Sequence, residues 1–209
     1  MKELPISAAA DRNKSHIADA LQSIITKEDR SLFEIGSGTG QHAVYLASYF
    51  NHLKWQTSDL LVNHDTINAH IENANLNNVF SPLEYEAGKN KFPHRKYDLV
   101  YTANTFHIMS WKNVKTTLKS VHQILNEGGQ FLIYGPFNYG GEFTSESNMQ
   151  FDLFLKKNSP ESGIRNFEDI QSNLKKNDIH FSKQIDMPAN NKLLVFTKIA
   201  KIIDENINK

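Results

Sequence analysis

A chain of 209 residues is long enough for one well-buried α/β core and short for two. Its 23 basic residues balance 23 acidic ones, so no global charge draws it toward nucleic acid, a membrane surface or a polyacid. Cysteine is absent, which excludes disulfides, thiolate metal ligands and cysteine nucleophiles and suits a reducing compartment.

MKELPISAAADRNK has no apolar signal-peptide core, and no run approaches the ~20 apolar residues of a membrane span, so a cytoplasmic protein is expected. The periodicity predicts an opening helix over 8–26, with Ile17, Ala20, Leu21 and Ile24 on one face. A strand over 31–35 then ends in glycines and gives way to a helix over 41–50. A strand over 54–59, a helix over 62–74 and a strand over 79–87 follow; Pro82 suits a sheet edge. Residues 97–104 read as an interior strand, 111–125 as a helix stopped by Gly128–Gly129, and 130–135 as the next strand. A loop at 135–148 and helices near 149–157 and 166–177 lead to β-like runs at 180–187 and 192–198. Only PANN separates those two runs, too little for a crossover helix, so they should be antiparallel neighbours. Residues 200–209 read as a loosely docked turn or two. The alternation is that of an α/β, doubly wound, mostly parallel sheet with a single core.

The informative stretch is Glu34-Ile35-Gly36-Ser37-Gly38-Thr39-Gly40, between the first strand and its helix. Glycines there let the backbone turn sharply and approach a ligand, while the helix N-terminus offers free N–H groups. A dinucleotide fingerprint would place its third glycine at Gln41, and the Glu34 carboxylate would work against a pyrophosphate. A cationic, phosphate-free cofactor fits better. Asp59, 19 residues after Gly40 at the end of the second strand, can accept hydrogen bonds from ribose hydroxyls. Glu86, at the end of the third, can receive an adenine amino group.

With these residues and LNEGGQFLIYGPF (125–137) in view, the chain resembles the class I, seven-stranded S-adenosylmethionine-dependent methyltransferases. More narrowly, AAADRNKSHI (8–17), GSGTGQHAVYLA (36–47), YTANTFHIMSW (101–111), YGPFNYGGEFTSESNMQFD (134–152) and MPANNKLLVF (187–196) are similar to the signature segments of a methyltransferase-like family of unknown function. The resemblance implies a Rossmann-like, seven-stranded sheet with an antiparallel last strand. It also implies S-adenosylmethionine held by Glu34, Gly36, Ser37, Gly38 and Gly40 on the methionine side, Asp59 on the ribose, Glu86 on the adenine and Asn104 near the methyl.

Methyl transfer from a sulfonium needs alignment and exclusion of water more than strong acid–base help. His107, at the exit of the fourth strand, is the candidate base, or else a structural histidine. Phe106, Trp111, Phe137 and Tyr139 could face the cation or form walls and core. Arg12 and Asn13 lie in a segment able to fold over the site. Asn148, Arg165, Asn190 and Asn191 sit in loops suited to substrate selection, or to capping and tying loops. The sequence A-N-T-F (103–106) lacks the motif of enzymes that methylate base amino groups, which with neutral charge argues against nucleic acid and leaves a small molecule, or else a protein side chain, as the expected acceptor. No metal-ligand spacing occurs among the nine histidines. Two other readings stand beside a methyltransferase: a non-catalytic S-adenosylmethionine-binding module and a nucleotide-dependent oxidoreductase.

Overall fold

The computed structural model describes residues 4–200. Its strands are β1 (Ser31–Ile35), β2 (Lys54–Asp59), β3 (Val79–Glu84), β4 (Tyr97–Ala103), β5 (Leu125–Asn138), β6 (Arg165–Asn166), β7 (Ile179–Met187) and β8 (Asn191–Lys198). They form a sheet in the order β3-β2-β1-β4-β5-β8-β7, with the two-residue β6 pairing off this path with β5. The pairs from β3 through β5 are parallel, whereas β8 runs antiparallel to both β5 and β7. The sheet is therefore mostly parallel, seven-stranded along its path, with an antiparallel last strand. The short connection does this: Met187 pairs with Asn191 across a turn in which Ala189 and Asn190 both take left-handed backbone.

Helices α1 (Ala8–Gln22), α2 (Gln41–Tyr49), α3 (His64–Ala74), α4 (Trp111–Ser120), α5 (Glu146–Asn158) and α6 (Phe167–Lys175) complete the chain. Side chains alternate along each inner strand, so the two faces bury different sets. One face packs Phe33, Val100, Phe131, Ile133 and Phe196 against Val114 and Leu118 of α4 and Ile170 and Leu174 of α6. The other packs Leu32, Trp55, Tyr101, Leu132 and Val195 against Ile17 and Leu21 of α1 and Ala43 and Leu46 of α2. Glu34 shares the parity of Leu32, which puts it in this second layer.

Several boundaries differ from the sequence reading. The opening helix stops at Gln22, capped by Ser23, rather than running to 26. The helix expected over 111–125 ends at Ser120 and tightens into a 3-10 turn over Val121–Gln123. Gly128–Gly129 lies inside β5 instead of ending a helix. There the β4–β5 register shifts, and a Cβ on Gly129 would meet the Asp98 carbonyl oxygen at 2.8 Å. β5 also continues to Asn138, through part of the stretch read as loop. β3 ends at Glu84 and is an edge strand, as Pro82 suggested. The turns expected over 200–209 fall, from 201 onward, outside the described residues.

Candidate functional site

A cavity of about 800 Å³ opens at the carboxyl ends of β1, β2 and β4, where open α/β sheets take their ligands. Its floor is the glycine loop. Gly36, Gly38 and Gly40 all have positive φ, at 72°, 61° and 86°, and they differ in what a side chain there would meet. A Cβ on Gly36 would meet the Thr105 side chain at 2.8 Å, and one on Gly40 would lie 3.1 Å from the Ile67 Cα of α3. A Cβ on Gly38 would meet nothing within 4 Å. Gly36 and Gly40 thus serve packing, while Gly38 leaves room in the cavity.

Asp59 ties the β2 tip to this loop. Its Oδ2 accepts from Gly38 N at 2.6 Å, and its Oδ1 accepts from Leu60 N and Asn63 Nδ2, each at 2.7 Å. The buried carboxylate thus fixes the loop and still borders the cavity. Glu86, two residues beyond the end of β3, borders it too and pairs with exposed Lys89 at 2.7 Å. Asn104 leaves β4 in left-handed backbone, with φ 54° and its N–H on the Tyr134 carbonyl at 2.9 Å, and lines the same wall. Of the residues singled out in the sequence, Gly36, Ser37, Gly38, Asp59, Glu86 and Asn104 meet around one cavity.

The others stand elsewhere. Glu34 does not border the cavity: its strand parity buries it, and Oε2 accepts from Ser37 Oγ and Trp55 Nε1, each at 3.0 Å. Burial pushes its pKa up to about 7 against those two hydrogen bonds. His107 also stays off the cavity lining, edge-on to Phe151 at 5.2 Å, and burial lowers its pKa to about 4. Arg165, proposed for substrate, spends its guanidinium on the carbonyls of Phe106, Met109 and Glu161 and lies over Trp111. Asn148 is buried and donates to Thr144 Oγ1 and the Asn190 carbonyl, while Asn190 donates to Ser147 Oγ. These residues tie loops together. Arg12 is exposed on α1 and does not border the cavity. Phe106 and Phe137 are core, Trp111 and Tyr139 pack against it, and none of the four borders the cavity.

Residues that the sequence reading passed over supply the rest. Ser7, Ala9 and Ala10 line one side, so the chain at the start of α1 covers the cavity. It is fastened by Ser7 N donating to Gln41 Oε1 and by His70 Nε2 on the Pro5 carbonyl. His42, on the first turn of α2, borders the cavity with Nε2 2.7 Å from Asn13 Oδ1. Burial lowers its pKa to about 4 with help from Lys14, leaving a neutral imidazole whose Nε2–H faces the amide oxygen. The signal was present, a histidine two residues past a glycine loop. Only the approach of α1 gives it a partner. The charged residues bordering the cavity are Asp59, Glu86 and Glu161; no Lys or Arg does so among the described residues.

A family model described as "Protein of unknown function (DUF938)" matches residues 4–198. Among solved structures, an O-methyltransferase family protein from Burkholderia thailandensis is similar at 15% identity and TM-score 0.78, over 92% of this chain and 58% of that one. Human N-acetylserotonin methyltransferase in complex with SAM is similar at 15% identity and TM-score 0.75, over 92% of this chain and 53% of that one. An O-methyltransferase family 2 protein from Planctomyces limnophilus, in complex with apigenin, is similar at 14% identity and TM-score 0.77, over 91% and 60%. This chain thus spans little more than half the length of the solved chains it matches. The shared architecture is the class I S-adenosylmethionine-dependent methyltransferase fold.

Proposed function

We propose, from the premise that this chain belongs to the family of proteins of unknown function DUF938, that it is a single-domain S-adenosylmethionine-dependent methyltransferase acting on a small molecule. The observation that carries this reading is the charge of the cavity. Three carboxylates border it, Glu86 among them paired to Lys89, with no Lys or Arg and only the neutral His42 imidazole in the lining among the described residues. Such an environment repels a pyrophosphate and favours a sulfonium. The open space over Gly38 fits the same group, because it lets a ligand lie against the loop backbone.

S-adenosylmethionine, when bound, supplies a methyl carbon already activated by its sulfonium. The chain's part is to bind, orient and exclude water. Gly36, Ser37 and Gly38 hold the amino-acid side of the cofactor, Asp59 accepts from the ribose hydroxyls, and Glu86 serves the adenine side. The Asp59 carboxylate already accepts three hydrogen bonds from Gly38, Leu60 and Asn63, so the loop is arranged before ligand arrives. Asn104, on the wall beyond the loop, orients the reacting groups. Ser7, Ala9 and Ala10 close the side of the cavity and keep water out. The base role expected of His107 fits less well than a positioning role behind Asn104 and Gly135: a Cβ on Gly135 would lie 3.8 Å from His107 Nδ1 and 4.0 Å from Asn104 Oδ1. His42 is the imidazole at the cavity itself, held neutral by burial with Nε2 on Asn13 Oδ1.

Titration calorimetry with S-adenosylhomocysteine and with NAD tests the reading. S-adenosylhomocysteine should bind and NAD should not, and Gly38→Val should abolish binding by filling the open space and straining the loop at a φ of 61°; tight NAD binding alone would overturn the assignment. Incubation of S-adenosylmethionine with a metabolite extract then separates catalyst from binding module: turnover to S-adenosylhomocysteine supports an enzyme, and binding without turnover in any extract supports the module.

A further inference from the structure

Helix α5 is amphipathic in reverse. Its inward face carries Asn148, Asp152 and Leu155, all buried. Asp152 Oδ1 accepts from Ile164 N at 2.7 Å while Oδ2 pairs with Lys156 at 2.6 Å, so the polar groups of this face are satisfied inside the protein. The outward face, at spacings of three and four, reads Glu146, Met149, Gln150, Leu153, Phe154 and Lys157. Leu153 is 56% exposed and Phe154 60%. A helix that turns its apolar stripe to water and its carboxylate inward has the pattern of a covered face.

The ends of the stripe say what covers it. Glu146 stands at its N-terminal end and Lys157 at its C-terminal end, and neither makes an ion pair among the described residues. Lys156 is occupied by Asp152, which leaves Lys157 as the available cation of the last turn. An antiparallel twofold centred between Phe151 and Asp152 matches this stripe to itself. Glu146 then meets Lys157 of the partner subunit, Met149 meets Phe154, and Gln150 meets Leu153. A parallel twofold would instead set Glu146 against its own copy. Such self-complementarity is what an isologous contact requires.

We propose that the outward face of α5 is a docking surface for a second copy of this chain, joined through antiparallel α5 helices. A helix of 13 residues spans about 20 Å, so the contact is at the small end of specific interfaces and the dimer forms in a concentration-dependent way. It is the inward face of α5 that lies toward the cavity, since Asp152 holds the chain at Ile164 and the neighbouring Glu161 borders the cavity. The inference is independent of which cofactor is bound.

Sedimentation velocity on the full chain, from about 1 to about 500 µM, tests it. The wild type should shift from one chain toward two as concentration rises, and Leu153→Glu should weaken association at least tenfold. Glu146→Lys and Lys157→Glu should each weaken it severalfold, while the two together should restore it, because the reversed charges again face each other. A wild type that stays monomeric throughout overturns the proposal, as does a Leu153→Glu protein that associates like the wild type. Failure of the double reversal to restore association overturns the antiparallel arrangement. Circular dichroism establishes that each variant is folded; were Leu153→Glu to unfold, the charge series still decides.

Discussion

The glycine loop between β1 and α2 and the stretch from Asn138 to Asp178 both carry polar residues that sequence reasoning favoured, and the two behave oppositely. Gly36, Ser37 and Gly38 of the loop gather at the cavity with Asp59 of the β2 tip. Beyond β5, Asn148 and Arg165 have their donors on carbonyls and hydroxyls of neighbouring loops, with Asn190 of the β7–β8 turn drawn into the same ties. The difference is one of backbone demand. The loop after β4 and the turns around α5 and β6 leave carbonyls that must find donors, and Asn148 and Arg165 supply them. The glycine loop instead has its N–H groups taken by the end of β2, Gly36 and Ser37 on the Ser58 carbonyl and Gly38 on Asp59, so its backbone is met without long donor side chains and its glycines leave space at the cavity.

This contrast can be attacked from both sides, beginning where the effect should be largest. Asp59→Ala should cost the cofactor up to two charge-assisted hydrogen bonds, roughly 1.5–3 kcal/mol each, measured by calorimetry with S-adenosylhomocysteine. Unchanged affinity would move the ribose elsewhere. Arg165→Ala should instead lower folding stability by about 3 kcal/mol in a denaturant titration, since the carbonyls of Phe106, Met109 and Glu161 lose their donor, and should leave cofactor affinity within about twofold. A large loss of affinity without a loss of stability would make Arg165 a ligand residue after all.

Acid sensitivity gives a third test. His42 and His107 are lowered by burial from 6.5 to about 4, so the unfolded chain binds more protons between those values. Their contribution is complete above pH 6.5 and is lost as pH falls toward 4, by an amount on the order of 3 kcal/mol each at the limit. Glu34 works in the opposite sense: raised from 4.5 to about 7, it contributes fully below pH 4.5 and loses that contribution as pH rises toward 7. Denaturation midpoints between pH 4 and 7 should therefore become less acid-sensitive in His42→Gln and in His107→Gln, and more acid-sensitive in Glu34→Gln. The smallest effect belongs to the hairpin. Ala189, at φ 55° in the turn before β8, should stabilise the fold by about 0.5–1 kcal/mol when changed to Gly, read as a higher melting temperature.

Much of the sheet could be read in advance, because the short apolar runs of β1, β4, β5 and β8 and the shortness of PANN are local properties of the chain. Glu34 shows where that reading stopped. Its place beside the glycines suggested a ligand contact, yet the same alternation that buries Leu32 turns Glu34 into the layer between the sheet and α2, under Trp55 and Ser37. The Gly128–Gly129 pair read as a helix stop for a similar reason: positive φ serves a bulge as well as a cap, and only the pairing of β5 with β4 distinguishes them.

Period, turn chemistry and glycine spacing are properties of short stretches of chain, so they were enough to set the succession of strands and helices, the antiparallel pairing of the last two strands and the position of the glycine loop. Which polar groups face the cavity depended on distant segments meeting. Asn13 of α1 reaching His42, Ser7 reaching Gln41, and Arg165 reaching three carbonyls join residues 29, 34 and up to 59 positions apart. Hydrogen-bond donors are assigned by proximity in space, and that competition exists only once the layers have packed.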